Sequence, residues 1–244
     1  MSPRARLQVA ADPEALAREV SAWLADRIAR AGARFGISLA GGATPRRTYE
    51  LLAVMTDRGG LRWDRVHWFW GDERFVPPDS SESNYRMAWD TLLSRVQPAA
   101  ANVHAVPTVN LSPERAAIRY EEELQAYYGA ERLDAQRPLF DVTLLGLGED
   151  GHTASLLPGQ PVLEESRHWV AAVAAGRPQA RITLTYPAIE SSAAVAFIVS
   201  GRAKREILAE VLQGRSSAPA AQVHPQGELI WFADRDAAGG PAPA

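Results

Sequence analysis

Cysteine is absent from all 244 residues, which excludes disulfides and thiolate metal sites and leaves no mark of an oxidising compartment. Excess basic charge is missing too. The formal net charge is -3 at pH 7, so no broad nucleic-acid footprint of Lys and Arg is expected, and any bound anion is held locally. No apolar run approaches the length of a membrane span, and Met1 to Ala11 carries arginines but not the apolar core of a signal peptide. A cytoplasmic protein with no membrane partner is the expectation. Internal repeats are lacking. Low complexity is confined to residues 237–244, expected to be a flexible tail after a single domain over 1–236.

What is present is the balance of an ordinary globular chain, 46% hydrophobic and 23% charged. Asp12-Pro13 reads as a helix cap followed by proline at the first helical position, with Leu16, Val20, Trp23, Leu24 and Ile28 at helical spacing. Phe35 to Ala40 reads as a buried strand ending in Gly41-Gly42, and Thr44-Pro45 restarts a helix. Val66 to Trp70 is a second strand, followed by a polar irregular segment to Ser83 and a helix from Tyr85 to Val96. A weaker strand is expected at Val103 to Val106, a helix after Ser112-Pro113, and the strongest buried strand at Phe140 to Leu145. Further strands are expected near 168–173, 181–185, 194–199 and 228–233, with helices near 187–192 and 202–213. This alternation predicts an α/β fold: one mostly parallel sheet with helices on both faces and functional loops at the carboxyl ends of its strands.

Three of those loops invite chemistry. Ala40-Gly41-Gly42-Ala43-Thr44-Pro45 joins a buried strand to a helix start, where free N–H groups and the helix dipole favour an anion such as phosphate. A bare strand-to-helix turn is the plainer alternative. In Gly71-Asp72-Glu73-Arg74-Phe75-Val76-Pro77-Pro78, Arg74 is the candidate clamp for phosphate or carboxylate, because its planar fork donates in pairs. Asp72 either braces Arg74 or forms with Glu73 and Arg74 a run of solvated or mutually paired surface charges. The third loop, Gly146 to Leu157, contains a literal G-x-G-x-x-G. A dinucleotide does not suit it, because Glu149 and Asp150 would face the pyrophosphate and Pro158 arrives too soon for a full crossover helix. What this loop supplies is His152 after two acidic residues and a glycine, and a nearby carboxylate can fix an imidazole's tautomer so that it takes a proton from water. A helix-start histidine bonding only backbone is the alternative.

His67 is expected to be a packing residue, while His104, His168 and His224 lie in no acidic or glycine-rich stretch. No pair has zinc-binding spacing, so neither metal nor cofactor is expected. Lys204, at the start of the helix after the strand Ala194 to Val199, can reach a phosphate held at another strand end, although a solvated lysine is the commoner case.

Together the loops resemble the 6-phosphogluconolactonase family, within the fold group that includes glucosamine-6-phosphate deaminases and ribose-5-phosphate isomerases. The resemblance is carried by Ser38 to Pro45, Trp70 to Pro77, Ser83-Asn84-Tyr85, Leu145 to Leu156 and Arg181-Ile182-Thr183-Leu184-Thr185, in matching order and spacing over nearly the whole chain. It implies a sugar-phosphate substrate, 6-phospho-D-glucono-1,5-lactone, bound by a metal-free lactone hydrolase of the oxidative pentose phosphate pathway. It puts phosphate near Gly41, Gly42, Thr44, Arg74 and Lys204 and the base at His152, and it adds Asn84 and Arg181. Gly148, Glu149 and Asp150 would then position substrate. Ala40 and Ala43 depart from the family, which often has serine there, so hydroxyl contacts from those positions are lost. A deaminase or isomerase would share the phosphate anchor, but the block continues Thr153-Ala154-Ser155-Leu156-Leu157-Pro158 and not as the deaminase run with Asn, Glu and Pro. A non-catalytic sugar-phosphate sensor is a third reading, and would keep its affinity without His152. Nothing in the sequence demands more than a monomer.

Overall fold

A computed structural model describes residues 5–56 and 61–240. Its first helix begins where the sequence places a cap: the Asp12 carboxylate accepts the Ala15 N–H at 2.7 Å, and Pro13 opens α1 (Pro13–Arg30). The stripe Leu16, Val20, Leu24 and Ile28 is buried. Next come β2 (Phe35–Leu39), wholly buried, and α2 (Ala43–Thr56). β3 (Val66–Trp70) is followed directly by β4 (Asp72–Arg74). Beyond these lie α3 (Asn84–Ala88), a π-helical stretch (Trp89–Leu93), α4 (Ser94–Val96), α5 (Pro113–Tyr128) and β5 (Val142–Leu145). The remainder comprises β6 (Val170–Val173), β7 (Arg181–Leu184), α6 (Tyr186–Glu190), β8 (Ala194–Val199), α7 (Arg205–Leu212), β9 (Glu228–Asp234) and α8 (Arg235–Ala238).

With β1 (Arg6–Ala10) at one edge, the main sheet has six strands in the order β1-β9-β8-β5-β2-β3, every pairing parallel. Burial on both faces explains why β2, β5 and β8 read as continuous apolar runs. The chain runs outward from β2 to β3, then returns to place β5 on the other flank of β2. Strand order therefore reverses at β2, and the crevice of an α/β sheet forms at the carboxyl ends beside such a reversal. Four adjacent strands, β8, β5, β2 and β3, each send a loop into that end.

Several elements depart from the sequence expectations. β1 (Arg6–Ala10) is an edge strand whose short, largely exposed sequence carries no clear signal. The strand expected at 103–106 is a single bridge, Trp68 to Val103, with the His104 N–H on the Trp68 carbonyl, and Pro107 follows. The segment expected to be irregular after Trp70 contains β4, which joins β7 and β6 in a separate antiparallel sheet of order β4-β7-β6. Ala237, expected to open a flexible tail, is instead held in a helix. Asp234 caps α8 through the Ala237 N–H at 2.8 Å, Ala237 is buried, and the same carboxylate accepts from Ser200 Oγ at 2.6 Å. Residues 241–244 lie outside the described residues.

Candidate active site

The loop after β2 is pinned by Tyr49, whose hydroxyl accepts the Ala40 N–H at 3.0 Å and donates to the Ala40 carbonyl at 2.9 Å. Gly41 has no room for a side chain, since a Cβ there would stand 2.1 Å from Asn84 Oδ1. Gly42 adopts φ +105°, open to glycine but strained for other residues. No described protein group accepts the N–H groups of Gly41, Gly42 or Ala43. These free donors head the 14-residue helix α2, which has no acidic residue in its first turn, so the turn is electropositive and unpaired.

The segment after β3 alternates as a strand must. Asp72 and Arg74 face the cavity, whereas Glu73 turns inward and is 2% exposed. Its carboxylate accepts the N–H groups of Arg74 and Asn84 at 2.8 Å and Tyr85 at 2.7 Å, together with the Ser83 hydroxyl at 3.0 Å. Burial pushes this carboxyl above its ordinary value, against the pull of those backbone donors. Glu73 thus ties β4 to the start of α3 and is not a surface charge. Arg74 is held by donation from Nη1 to the Glu82 carbonyl at 2.6 Å. Asp72 does not brace Arg74, as one reading of the sequence allowed. It accepts from Ser155 Oγ at 2.6 Å and lies 3.8 Å from Arg181 Nη1.

Arg181 reaches the site through the small sheet, where it is the register partner of Arg74. Its Nε is buried without a hydrogen-bond partner among the described residues, a donor awaiting an acceptor. Burial lowers the guanidinium's pKa from its ordinary value, with Asp72 opposing.

The loop after β5 folds on itself: the Gly148 N–H bonds the His152 carbonyl at 2.8 Å, and the Gly151 N–H bonds the Gly148 carbonyl at 3.1 Å. His152 Nδ1 lies 2.5 Å from Asp150 Oδ1, and the His152 N–H donates to the same oxygen at 3.2 Å. With Nδ1–H given to the carboxylate, the Nε2 lone pair is left free, and no group among the described residues hydrogen-bonds to it. Burial would raise the Asp150 carboxyl, but hydrogen bonds from His152 and Arg177 hold it at about 2.

Ala40, Gly41, Gly42, Asp72, Arg74, Asn84, Gly148, His152, Arg181 and Lys204 line one cavity of about 260 Å³. That includes most residues singled out in the sequence. Thr44 is an exception, since it lines a neighbouring depression with Asp12, Glu14 and Arg47. Each step along a helix turns a side chain by about 100°, which carries Thr44 away from the turn it follows. Glu149 and Asp150 stay on the rim: Glu149 lies 3.8 Å from Lys204 Nζ, and Asp150 meets the cavity only through His152. Three other histidines do have acidic neighbours, brought by the fold: His104 Nδ1 lies 2.6 Å from Glu123, His168 Nδ1 lies 3.3 Å from Glu121, and the His224 N–H donates to Glu190 at 2.8 Å. Arg177 was not anticipated. It sits in the loop between β6 and β7 and touches both Asp150 and His152, and a lone arginine beside Gly176 and Pro178 gives no signal of that contact.

A glycine turn with free donors, three cations and a carboxylate-tethered imidazole thus meet at one end of a parallel sheet. Residues 11–231 match the family model described as glucosamine-6-phosphate isomerases/6-phosphogluconolactonase, and the chain belongs to that family. A 6-phosphogluconolactonase of Nostoc sp. is 42% identical over 205 residues, covering 82% of each chain. One of Synechocystis sp. is 42% identical over 217 residues, covering 86% of this chain and 88% of its own length. Among solved structures, the 6-phosphogluconolactonase of Thermotoga maritima superposes with a TM-score of 0.81 at 30% identity, over 94% of this chain and 99% of that one. A monomeric glucosamine-6-phosphate deaminase, 22% identical with a TM-score of 0.83, shares the fold.

Proposed function

We propose that this chain is a 6-phosphogluconolactonase that hydrolyses 6-phospho-D-glucono-1,5-lactone to 6-phospho-D-gluconate with His152 as general base. The observation that carries the reading is the free Nε2 of a carboxylate-tethered imidazole in a cavity that also gathers Arg74, Arg181, Lys204 and an unpaired glycine turn. The free N–H groups of residues 41–43, with Arg74 and Lys204, hold the substrate phosphate. Binding that remote group places C1 of the lactone beside His152, so affinity is used for orientation.

Nε2 then removes a proton from water as the water oxygen bonds to C1. The tetrahedral oxyanion collapses, the bond between C1 and the ring oxygen breaks, and the imidazolium returns its proton to that departing oxygen. The carboxylic acid so formed ionises and releases one proton to solution. General-base help of this kind supplies roughly 10²–10⁴-fold. A lactone is a reactive ester, so its hydrolysis proceeds here without a metal, in a cytoplasmic monomer.

Hydrolysis is followed by proton release, with the spontaneous rate subtracted. Expected are turnover unchanged by chelators, no ammonia from glucosamine 6-phosphate, and an Arg74→Ala enzyme whose KM rises at least tenfold while kcat changes little. Deamination without lactone hydrolysis would overturn the reading.

A further inference from the structure

Arg177 lies half-exposed at the edge of the site, with Nη2 3.2 Å from Asp150 Oδ2 and 3.2 Å from His152 Nδ1. The two contacts differ in kind. The 2.5 Å contact between Nδ1 and Asp150 Oδ1 uses the Nδ1 proton, so that nitrogen has no lone pair to offer a guanidinium. Only the contact with the carboxylate is attractive. The guanidinium therefore stands on the Nδ1 edge of the ring, away from Nε2, and its charge lies beside an imidazole that must become positive during turnover.

We propose that Arg177 is a positioning residue for the base: it anchors Asp150 by its second oxygen and biases the His152 ring toward the neutral form that accepts a proton. The proposal rests on the reading of His152 as base. Asp150 alone would do half of this. A lone carboxylate fixes the tautomer but also stabilises the imidazolium, and the arginine offsets that second effect while keeping the first. The other charges around the ring are Lys204 paired with Glu149, Arg181 paired with Asp72, and Arg74 in the same cavity. Arg177 alone among the described cations touches the imidazole.

A unit charge about 4 Å away across partly exposed space shifts a pKa by roughly half to one unit. The test is an NMR titration of the His152 ring, assigned by its loss in His152→Ala, in the wild type, Arg177→Ala and Arg177→Lys. The pH dependence of kcat is measured alongside. In Arg177→Ala the imidazole midpoint and the acid limb of kcat both move up by about half to one pH unit. Activity falls on the acid side of that limb, recovers on its alkaline side, and KM stays put. Arg177→Lys keeps the charge and restores most of the shift. A midpoint unmoved or lowered in Arg177→Ala overturns the inference. Full activity of His152→Ala would instead overturn the base reading, while the titration still decides what Arg177 does to the ring.

Discussion

A Cβ on Gly148 would stand 2.0 Å from His152 Nδ1 and 2.6 Å from Asp150 Oδ1, so the imidazole and its carboxylate occupy the space that a side chain would need. Glycine here serves close approach, not a nucleotide phosphate. The contact between Asp150 and His152 decides which ring nitrogen carries the proton. In Asp150→Asn, the amide can turn its NH2 toward Nδ1 and favour the Nε2–H tautomer, removing the lone pair that accepts from water. A kcat lower by roughly 10²–10⁴-fold with KM within a few-fold is expected from steady-state lactone hydrolysis. The carboxyl is lowered from 3.8 to about 2, so its tether is complete above about pH 4 and is lost only as pH falls toward 2. Loss of activity above about pH 4 therefore does not report Asp150.

The small antiparallel sheet is the element that assembles the cation cluster, and Glu73 is its anchor to α3. Glu73→Ala would leave the buried N–H groups of Arg74, Asn84 and Tyr85 without their acceptor. A stability loss of about 3 kcal/mol in urea unfolding is expected, with a raised KM because Arg74 and Asn84 lose their support. This sheet was the least legible part of the sequence. β4 is three residues long and wholly charged, so neither alternation nor apolar content announces it, and its pairing with β7 depends on residues over a hundred positions away. Helix caps such as Asp12-Pro13 and buried runs such as β2 and β5 were legible because their causes are local. His152 and Arg74 could be found from loop position and chemistry. The Asp72–Arg181 contact and the approach of Arg177 to Asp150 exist only in the folded chain.

In the chain as one body, the site occupies the carboxyl ends of β8, β5, β2 and β3, while a half-buried histidine sits elsewhere on the sheet. His67 Nδ1 lies 3.0 Å from His104 Nε2. Burial, then repulsion from His104 and Arg34, lowers His67 below its ordinary 6.5. A base whose folded pKa is depressed contributes stability that is complete above the unfolded value and declines as pH drops through it. Melting temperatures at pH 7.5 and 5.5 should therefore show an acid-side fall that is smaller in His67→Gln. Activity in the site is expected to be independent of that change at neutral pH.

The proton-removing role of His152 is tested most directly by comparing wild type and His152→Ala in lactone hydrolysis at pH 7.5, with binding of 6-phosphogluconate measured by calorimetry. The expected result is a kcat lower by roughly 10²–10⁴-fold and product affinity within a few-fold of wild type. A His152→Ala enzyme that turns over at the wild-type rate would contradict it.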